Sequence, residues 1–120
     1  MLDSDYPRFH LALPVNDLDE TLDFYQSVLG CGKGRESERW VDLNFFGHQL
    51  VLQLVDAELD ANAPTNSVDG HDVPAGHFGP ILDWLSFEAL ADRLNRHGIE
   101  FLIEPNVRFK GQPGEQATMF

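Results

Sequence analysis

The sequence predicts an α+β fold in which two similar halves each begin with a strand and a helix. In the first half, an apolar run that carries His10 passes through a Pro-Val-Asn-Asp turn into a helical pattern, which stops at Gly30. In the second half, the apolar run HFGPILD begins at His77, and apolar residues at helical spacing lead to Gly98. Residue identity between the halves is low, so the repeat is one of pattern. It places one histidine at the same point of each half, where approximate twofold symmetry would bring both together.

Composition sets limits on the partners and the compartment. The 120 residues suit one domain with a core, and the formal net charge of −12 repels phosphate backbones and anionic lipids. We therefore expect neither nucleic acid nor a membrane as a partner. Cys31 is the single cysteine, which suits a reducing compartment, and the polar N-terminus does not resemble a signal peptide. The sequence predicts a cytoplasmic protein.

The first half predicts a strand, a helix and up to three further strands. Asp17 is the candidate N-cap, and acidic residues in the first helical turn suit the helix dipole. Gly47 marks a tight turn between two strands of a hairpin. The predicted strands are residues 8–15, a short extra strand within 33–38, and the hairpin strands 39–46 and 48–55, with the helix beginning at Leu18 and stopping at Gly30.

The second half predicts the same beginning but a shorter end. Residues 57–75 are predicted to be a linker, because residues 56–76 are rich in Asp, Asn, Pro and Gly. The predicted elements after it are a strand at 77–83, a helix at 84–97, a strand at 99–109, a turn at 111–114 and a strand at 115–120. A counterpart of strand 48–55 is missing, which would leave an unpaired apolar edge, so we expect a truncated or incompletely ordered C-terminus. A single domain, 1–120, with modules at about 8–56 and 76–120 is the predicted organisation.

Two of the five histidines are candidates for a shared metal site. His97 lies in the last predicted turn of the second helix, where a cation suits the dipole, and His71 lies in the polar linker. His10 and His77 hold equivalent positions in the repeat, and neutral imidazole is a common metal donor. The other interpretation of each is a packed strand histidine bonded to a backbone carbonyl.

Oxygen ligands would have to come from the remaining strands. Gln53 and His48 lie on opposite faces of the predicted strand 48–55, and only one face can look into a site. The second half lacks the matching strand that should supply a carboxylate. Glu104 and Glu115 are nearby acids that could replace it.

Four stretches together resemble a known family: FHLALPVNDLDETLDFYQSVLG, RWVDLNFFGHQLVLQL, GHFGPILDW with the helix to Gly98, and IEPNVRFKGQPGEQATMF. They resemble the vicinal oxygen chelate superfamily, which groups glyoxalase I, extradiol ring-cleaving dioxygenases and bleomycin-resistance proteins, over nearly all of the chain. The resemblance implies two tandem βαβββ modules that form a curled mixed sheet around a central cleft. The last strand of the second module, which carries a ligand glutamate in the family, is missing here.

The resemblance also implies a ligand set and a cofactor. His10 and His77 match the metal-binding histidines of the first strands, and Gln53 matches the fourth ligand of glyoxalase-type members, as a weak neutral donor. The implied cofactor is a divalent ion, Fe, Mn, Ni or Zn.

Further residues are candidates for contacts beside the metal. His48 and Glu115 are the catalytic candidates, and Arg108, Lys110 and Phe46 are the substrate-binding candidates. Arg108 could hold a carboxylate or a phenolate through two hydrogen bonds. The other interpretation of Arg108 and Lys110 is a strand end with two solvated cations.

The predicted function is that of a metal-dependent enzyme, of glyoxalase, lyase or extradiol-dioxygenase type, acting on a small organic substrate. The alternative is a metal-free binding protein of the bleomycin-resistance type, which would hold a small compound against Trp40, Phe45 and Phe46. A structural or interaction module without a small-molecule site is the third possibility. The family resemblance and the unfinished sheet edge both predict a homodimer.

Overall fold

Two units, divided between residues 60 and 61, make up the chain in a computed structural model that describes residues 6–59 and 64–120. The predicted α+β class is confirmed, with a four-stranded mixed sheet in the first unit and a helix in each unit. Residues 1–5 and part of the predicted linker, residues 60–63, lie outside the described residues. None of the helices in the described parts of the chain has the length and apolarity that crossing a bilayer requires.

The first unit follows the predicted order of one strand, one helix and three strands. Its elements are β1 (His10–Val15), α1 (Leu18–Asp23), a π-helical turn (Phe24–Val28), β2 (Gly32–Glu36), β3 (Trp40–Phe45) and β4 (His48–Leu54). The sheet order is β1-β4-β3-β2, with β1 parallel to β4 and the other pairs antiparallel. The first strand therefore lies at an edge of the sheet, beside the last strand of its own unit.

The two faces of this sheet differ in character. One face carries the buried cluster Val15, Val41, Leu43, Leu50 and Leu52, against which the partly buried helical residues Leu18, Leu22 and Tyr25 pack. Side chains alternate between faces along a strand, so the residues between these point to the other face. That second face carries His10, Gln49 and Gln53. His10 on β1 is opposite Gln49 on β4, and Gln53 on β4 is opposite Pro14 on β1.

The first helix begins and ends at the predicted residues but changes its winding on the way. Asp17 accepts a hydrogen bond from the Glu20 N–H at 2.9 Å, which confirms the predicted N-cap. From Phe24 the turn widens to a π-helix, in which the Leu29 N–H donates to the Phe24 carbonyl at 3.0 Å. Gly30 then takes a φ of 76° and ends the helix.

The second unit differs from the predicted copy of the first. Its elements are β5 (Thr65–Val68), β6 (His71–Pro74), α2 (Trp84–Arg96), β7 (Asn106–Arg108) and β8 (Gln116–Thr118). Strands β5 and β6 form a hairpin inside the predicted linker, turning on Asp69 and Gly70 with φ values of 48° and 81°. Positive φ at both turn residues is the type I′ geometry that Asp-Gly favours. The linker prediction was therefore wrong for these residues.

The predicted strands of the second unit are corrected in two places. Residues 77–83 form no strand, because no described segment pairs with them as β4 pairs with β1 in the first unit. The strand predicted at 99–109 shortens to β7, which pairs with β8. Beyond that ladder, Ile103 and Phe120 exchange two backbone hydrogen bonds of 2.9 and 3.0 Å. The described residues therefore do not show a second βαβββ module.

Helix α2 has the predicted position and the same terminal chemistry as α1. Asp83 accepts a hydrogen bond from the Ser86 N–H at 2.7 Å, three residues into the helix. Gly98, with a φ of 69°, ends it, and the Ile99 N–H donates back to the Leu94 carbonyl at 3.1 Å. Both helices thus begin on an aspartate and end at the predicted glycine.

Candidate functional site

His10 lies at the start of β1, on the face of the first sheet that points away from the hydrophobic core. Its Nδ1 lies 2.9 Å from Oε1 of Gln49, its register partner on β4. An amide oxygen only accepts, so Nδ1 carries the proton in this contact and the neutral ring has its lone pair on Nε2. The ring is exposed. His10 is thus oriented by one hydrogen bond with its other nitrogen available to a ligand.

His77 follows β6 in the second unit and shows the same arrangement. Its Nδ1 lies 2.7 Å from the backbone carbonyl oxygen of Pro74, which again accepts the proton from Nδ1. The ring is exposed and packs edge-on against Phe120, with ring centroids 5.0 Å apart. Pro74 and Phe120 therefore fix the plane of the imidazole while its Nε2 keeps a free lone pair.

The donor chemistry of both histidines fits a divalent metal ion. Metal-binding histidines almost always donate their second ring N–H to a carbonyl, a carboxylate or a water, which fixes the tautomer. His10 and His77 each make that bond through Nδ1. Within residues 6–59 and 64–120, no group of three or more His, Cys, Asp or Glu side chains is arranged to hold a metal. Each imidazole, taken by itself, can supply one donor nitrogen, Nε2.

Gln53, which was matched to the fourth ligand of glyoxalase-type members, shares a face of the sheet with His10 but is distant along it. The parallel register sets Gln53 opposite Pro14 and sets Gln49 opposite His10. Four residues of strand separate Gln53 from Gln49, about 13 Å at 3.3 Å per residue. Gln49 is therefore the polar neighbour of His10, a contact that only the strand register reveals.

His48, a predicted catalytic group, lies on the opposite side of β4 from His10. Its register partner is Phe45, which packs on the hydrophobic core. His48 Nδ1 accepts a hydrogen bond from the Phe9 N–H at 2.7 Å, so the neutral ring carries its proton on Nε2. The sheet thus holds His10 and His48 in opposite tautomers on opposite faces.

Phe46, a predicted substrate contact, occupies a turn beside a shallow cavity in the first unit. The cavity, with a volume of about 230 Å³, is lined by Leu29, Gly30, Cys31, Gly32, Asn44 and Phe46. Phe46 has a φ of 50°, and the Asn44 side-chain oxygen accepts from the Gly47 N–H at 2.8 Å across the turn. Burial raises the pKa of the Cys31 thiol, so it is a protonated lining group there.

The remaining candidates belong to the β7–β8 hairpin. Glu115 accepts a hydrogen bond from the Gly111 N–H at 3.1 Å across the loop, and Lys110 is exposed. Arg108 is only 5% exposed, so the interpretation of a solvated cation was wrong for this residue. Its Nη2 donates to the Val68 carbonyl at 3.1 Å, and its guanidinium carbon lies 6.0 Å from the centre of the Phe120 ring.

Comparisons with solved structures place this fold among known proteins. A glyoxalase/bleomycin resistance protein/dioxygenase from Alicyclobacillus acidocaldarius is 35% identical, covers 100% of this chain and 84% of its own, and superposes with a TM-score of 0.81. An integron cassette protein from the mobile metagenome of V. cholerae is 21% identical over 99% of this chain and 88% of its own, with a TM-score of 0.62. The genomically encoded fosfomycin resistance protein FosX from Listeria monocytogenes is 15% identical over 96% and 84%, with a TM-score of 0.58. The last two likenesses concern the fold alone.

Sequence comparison gives the family directly. No curated protein matches the chain significantly. The sequence profile of one family, however, matches residues 9–113, which is most of the chain. The chain belongs to the Glyoxalase/Bleomycin resistance protein/Dioxygenase superfamily.

Proposed function

We propose that the protein is a metal-dependent oxygen-chelate enzyme acting on a small organic substrate, with His10 and His77 as metal ligands. The observation that carries the proposal is a contact that both rings share, since each Nδ1 lies within hydrogen-bond distance of an oxygen. In each, Nδ1 donates to an oxygen, Gln49 Oε1 or the Pro74 carbonyl, and Nε2 keeps its lone pair. Two histidines at equivalent points of the sequence pattern share the bond that metal ligands usually make.

A bound divalent ion would act as a Lewis acid toward two neighbouring oxygens of the substrate. The chain would hold this ion through Nε2 of His10 and Nε2 of His77. Gln49 and Pro74 hold the rings of His10 and His77 in the required tautomer. Imidazole donors suit zinc, iron and nickel, and with oxygen donors also manganese.

Metal content tests the proposal. We expect the wild-type protein to retain Fe, Mn, Ni or Zn after dialysis, and the double variant His10→Ala, His77→Ala to lose it. His97→Ala is the matched control, because His97 is an exposed histidine at the C-cap of α2 with no part in the proposed site. Elemental analysis of all three proteins gives the result, and equal metal content in the wild type and the double variant would refute the proposal.

The bound metal and the substrate then separate the reaction types. Iron with substrate-dependent oxygen uptake supports ring cleavage, and nickel or zinc with turnover of a hemithioacetal supports glyoxalase chemistry. The alternative is metal-free binding of a small compound, for which the cavity that Phe46 helps to line is the candidate site. In that case ligand affinity stays unchanged when a chelator is added and when both histidines are replaced.

The other roles carry over as proposals. His48 and Glu115 are the proposed catalytic groups, and Lys110 and Phe46 are the proposed substrate contacts. Gln53 is the alternative oxygen donor on β4, and the variant Gln53→Leu tests it. Location in the cytoplasm also stays a prediction.

We further propose a homodimer. Large apolar side chains are highly exposed in the second unit, with Ile81 at 96%, Leu102 at 80% and Leu85 at 79%. Contact with a second copy of the chain would remove the apolar surface of these side chains from water, which is favourable. Light scattering at micromolar concentration should give twice the chain mass, and a monomer at every concentration would contradict the proposal.

A further inference from the structure

We propose that Arg108 and Thr118 form a binding site for the carboxylate group of a small organic acid. Each of these residues has a buried polar atom, Arg108 Nε and Thr118 Oγ1, that has no hydrogen-bond partner among residues 6–59 and 64–120. Buried polar groups in folded proteins are nearly always paired, so two unpaired groups on one small hairpin call for an explanation. A bound ligand supplies one.

The hairpin register places the two groups near each other. Arg108 on β7 is opposite Gln116 on β8, and Asn106 is opposite Thr118. Residues directly opposite in an antiparallel pair point to the same face, as do residues two apart on one strand. Arg108 and Thr118 are therefore diagonal neighbours on one face of the hairpin, a separation that a long side chain spans.

The charge of Arg108 determines the sign of the ligand. A guanidinium remains charged at all relevant pH values, and a buried charge is costly without a counter-charge. Among residues 6–59 and 64–120, the Arg108 guanidinium donates to the Val68 carbonyl and lies against the Phe120 ring, and both groups are neutral. No ion pair found among the described residues includes Arg108, and Lys33–Glu36, Arg35–Asp42 and Arg39–Asp56 lie in the first unit. The site therefore fits an anion.

Asp69 is the acidic residue next to Val68, and its side chain contacts the backbone of Phe109. Its Oδ2 accepts from the Phe109 N–H at 3.4 Å, and no ion pair joins it to Arg108 among the described residues. Asp69 has a φ of 48°, a conformation that asparagine also adopts readily. Asp69→Asn thus removes its charge while keeping the turn, which allows a direct test of Asp69 as the counter-ion.

The free donors indicate a carboxylate with a flat apolar body. The two buried groups without a partner, Nε of Arg108 and the hydroxyl of Thr118, can each donate a hydrogen bond to one oxygen of a carboxylate. Phe120 lies beside the guanidinium and offers its ring to the body of the ligand. The other contact of that ring is the His77 imidazole. Identifying the carboxylate as part of the substrate rests on the proposed function, whereas the binding of the anion does not.

Titration of ¹⁵N-labelled protein with benzoate tests the site, with benzamide as the neutral probe of the same shape. We expect benzoate to shift the Nε–H resonance of Arg108 and benzamide to leave it in place. Thr118→Val should weaken benzoate binding several-fold, and Arg108→Met should abolish it. Arg96→Met removes an exposed cation from α2 and should bind as the wild type does. Equal binding of both probes, no shift with benzoate, or equal losses in the Arg96 and Arg108 variants would overturn the proposal.

Stability measurements separate the ligand site from a structural role. Because Arg108 has no charged partner among residues 6–59 and 64–120, Arg108→Met should leave the midpoint of urea unfolding unchanged or raise it. Benzoate should stabilise only proteins that keep Arg108. Asp69→Asn should keep wild-type stability and benzoate affinity. Strong destabilisation by both Arg108→Met and Asp69→Asn would instead identify Asp69 as the counter-ion and overturn the proposal.

Benzoate binding measured without metal tests the carboxylate site separately from the proposed metal site. Benzoate should bind the His10→Ala, His77→Ala double variant in the presence of a chelator as it binds the wild type. Loss of metal binding with retained benzoate binding would refute only the metal site. Retained metal with no benzoate binding would refute only the carboxylate site.

Discussion

Replacing Gln49 with leucine should weaken metal binding without touching a metal ligand. The Gln49 side chain accepts the Nδ1 proton of His10 at 2.9 Å, which holds the lone pair on Nε2. Leucine has similar bulk but accepts no hydrogen bond, so the ring can rotate and change tautomer. Loss of such a supporting contact typically lowers metal affinity 10- to 100-fold, or about 1.4–2.7 kcal/mol.

Gln53→Leu is the matched control, because both glutamines lie on the same face of β4. Their register partners differ, since Gln49 is opposite His10 and Gln53 is opposite Pro14. Competition with a chromophoric chelator gives the zinc affinity of each variant, and ¹⁵N spectra of the His10 ring give its tautomer. We expect Gln49→Leu to change both quantities and Gln53→Leu to change neither.

Gln49→Glu is the conservative variant and should keep both the zinc affinity and the His10 tautomer of the wild type. A carboxylate beside His10 accepts the same Nδ1 proton, so the tautomer of the ring and the bound metal are both retained. The reasoning is refuted if Gln49→Leu alters the His10 tautomer while zinc affinity stays within about twofold of the wild type. Loss of affinity in Gln53→Leu alone would identify Gln53 as the ligand.

Three further predictions concern stability and reactivity. Leu52 is 0% exposed in the central strand, so Leu52→Ala should lower the free energy of unfolding by about 2–5 kcal/mol in urea titrations; a loss below about 1 kcal/mol would contradict the packing. Hydrogen bonds from the backbone and side chain of Ser86 lower the pKa of Asp83 from 3.8. The charged cap therefore stabilises α2 above that pH, and this contribution is lost as the pH falls through the folded-state pKa. Asp83→Asn should therefore reduce the fall in melting temperature on acidification, and an unchanged pH dependence of the melting temperature would contradict this. Burial raises the pKa of Cys31, so iodoacetamide should modify the native protein far more slowly at neutral pH than the unfolded chain, and equal rates would contradict this.

Local signals in the sequence predicted the helices and the first sheet. An aspartate at the N-cap and a glycine with positive φ at the end depend on neighbouring residues alone, so Asp17 and Gly30 could be identified directly. The hairpin turn at Gly47 is likewise specified by neighbouring residues, so it could also be identified directly. The hairpin on Asp69 and Gly70 carried an equally clear turn signal, and it was missed because the flanking strands are polar.

Features that depend on pairing between distant segments could not be predicted. Residues 77–83 have strand-like composition, but a strand requires a neighbour, and the described residues supply none. The choice between Gln49 and Gln53 depends on the register of β1 against β4, which a sequence does not encode locally. The burial of Arg108 likewise depends on packing around Val68 and Phe120. From the sequence alone, a cation at a strand end is expected to be exposed.

The parallel pairing of β1 with β4 has a consequence for the order of folding. The two-residue connection lets β3 and β4 meet within about 1–10 μs, whereas β1 can join only after the intervening chain closes a long loop. The first strand of this unit in chain order is therefore the last to dock. Substitutions in β1 that leave helix and hairpin intact should accelerate unfolding more than they retard refolding. Assembly of the imidazole–amide contact at His10 thus coincides with the final step of folding in the N-terminal half.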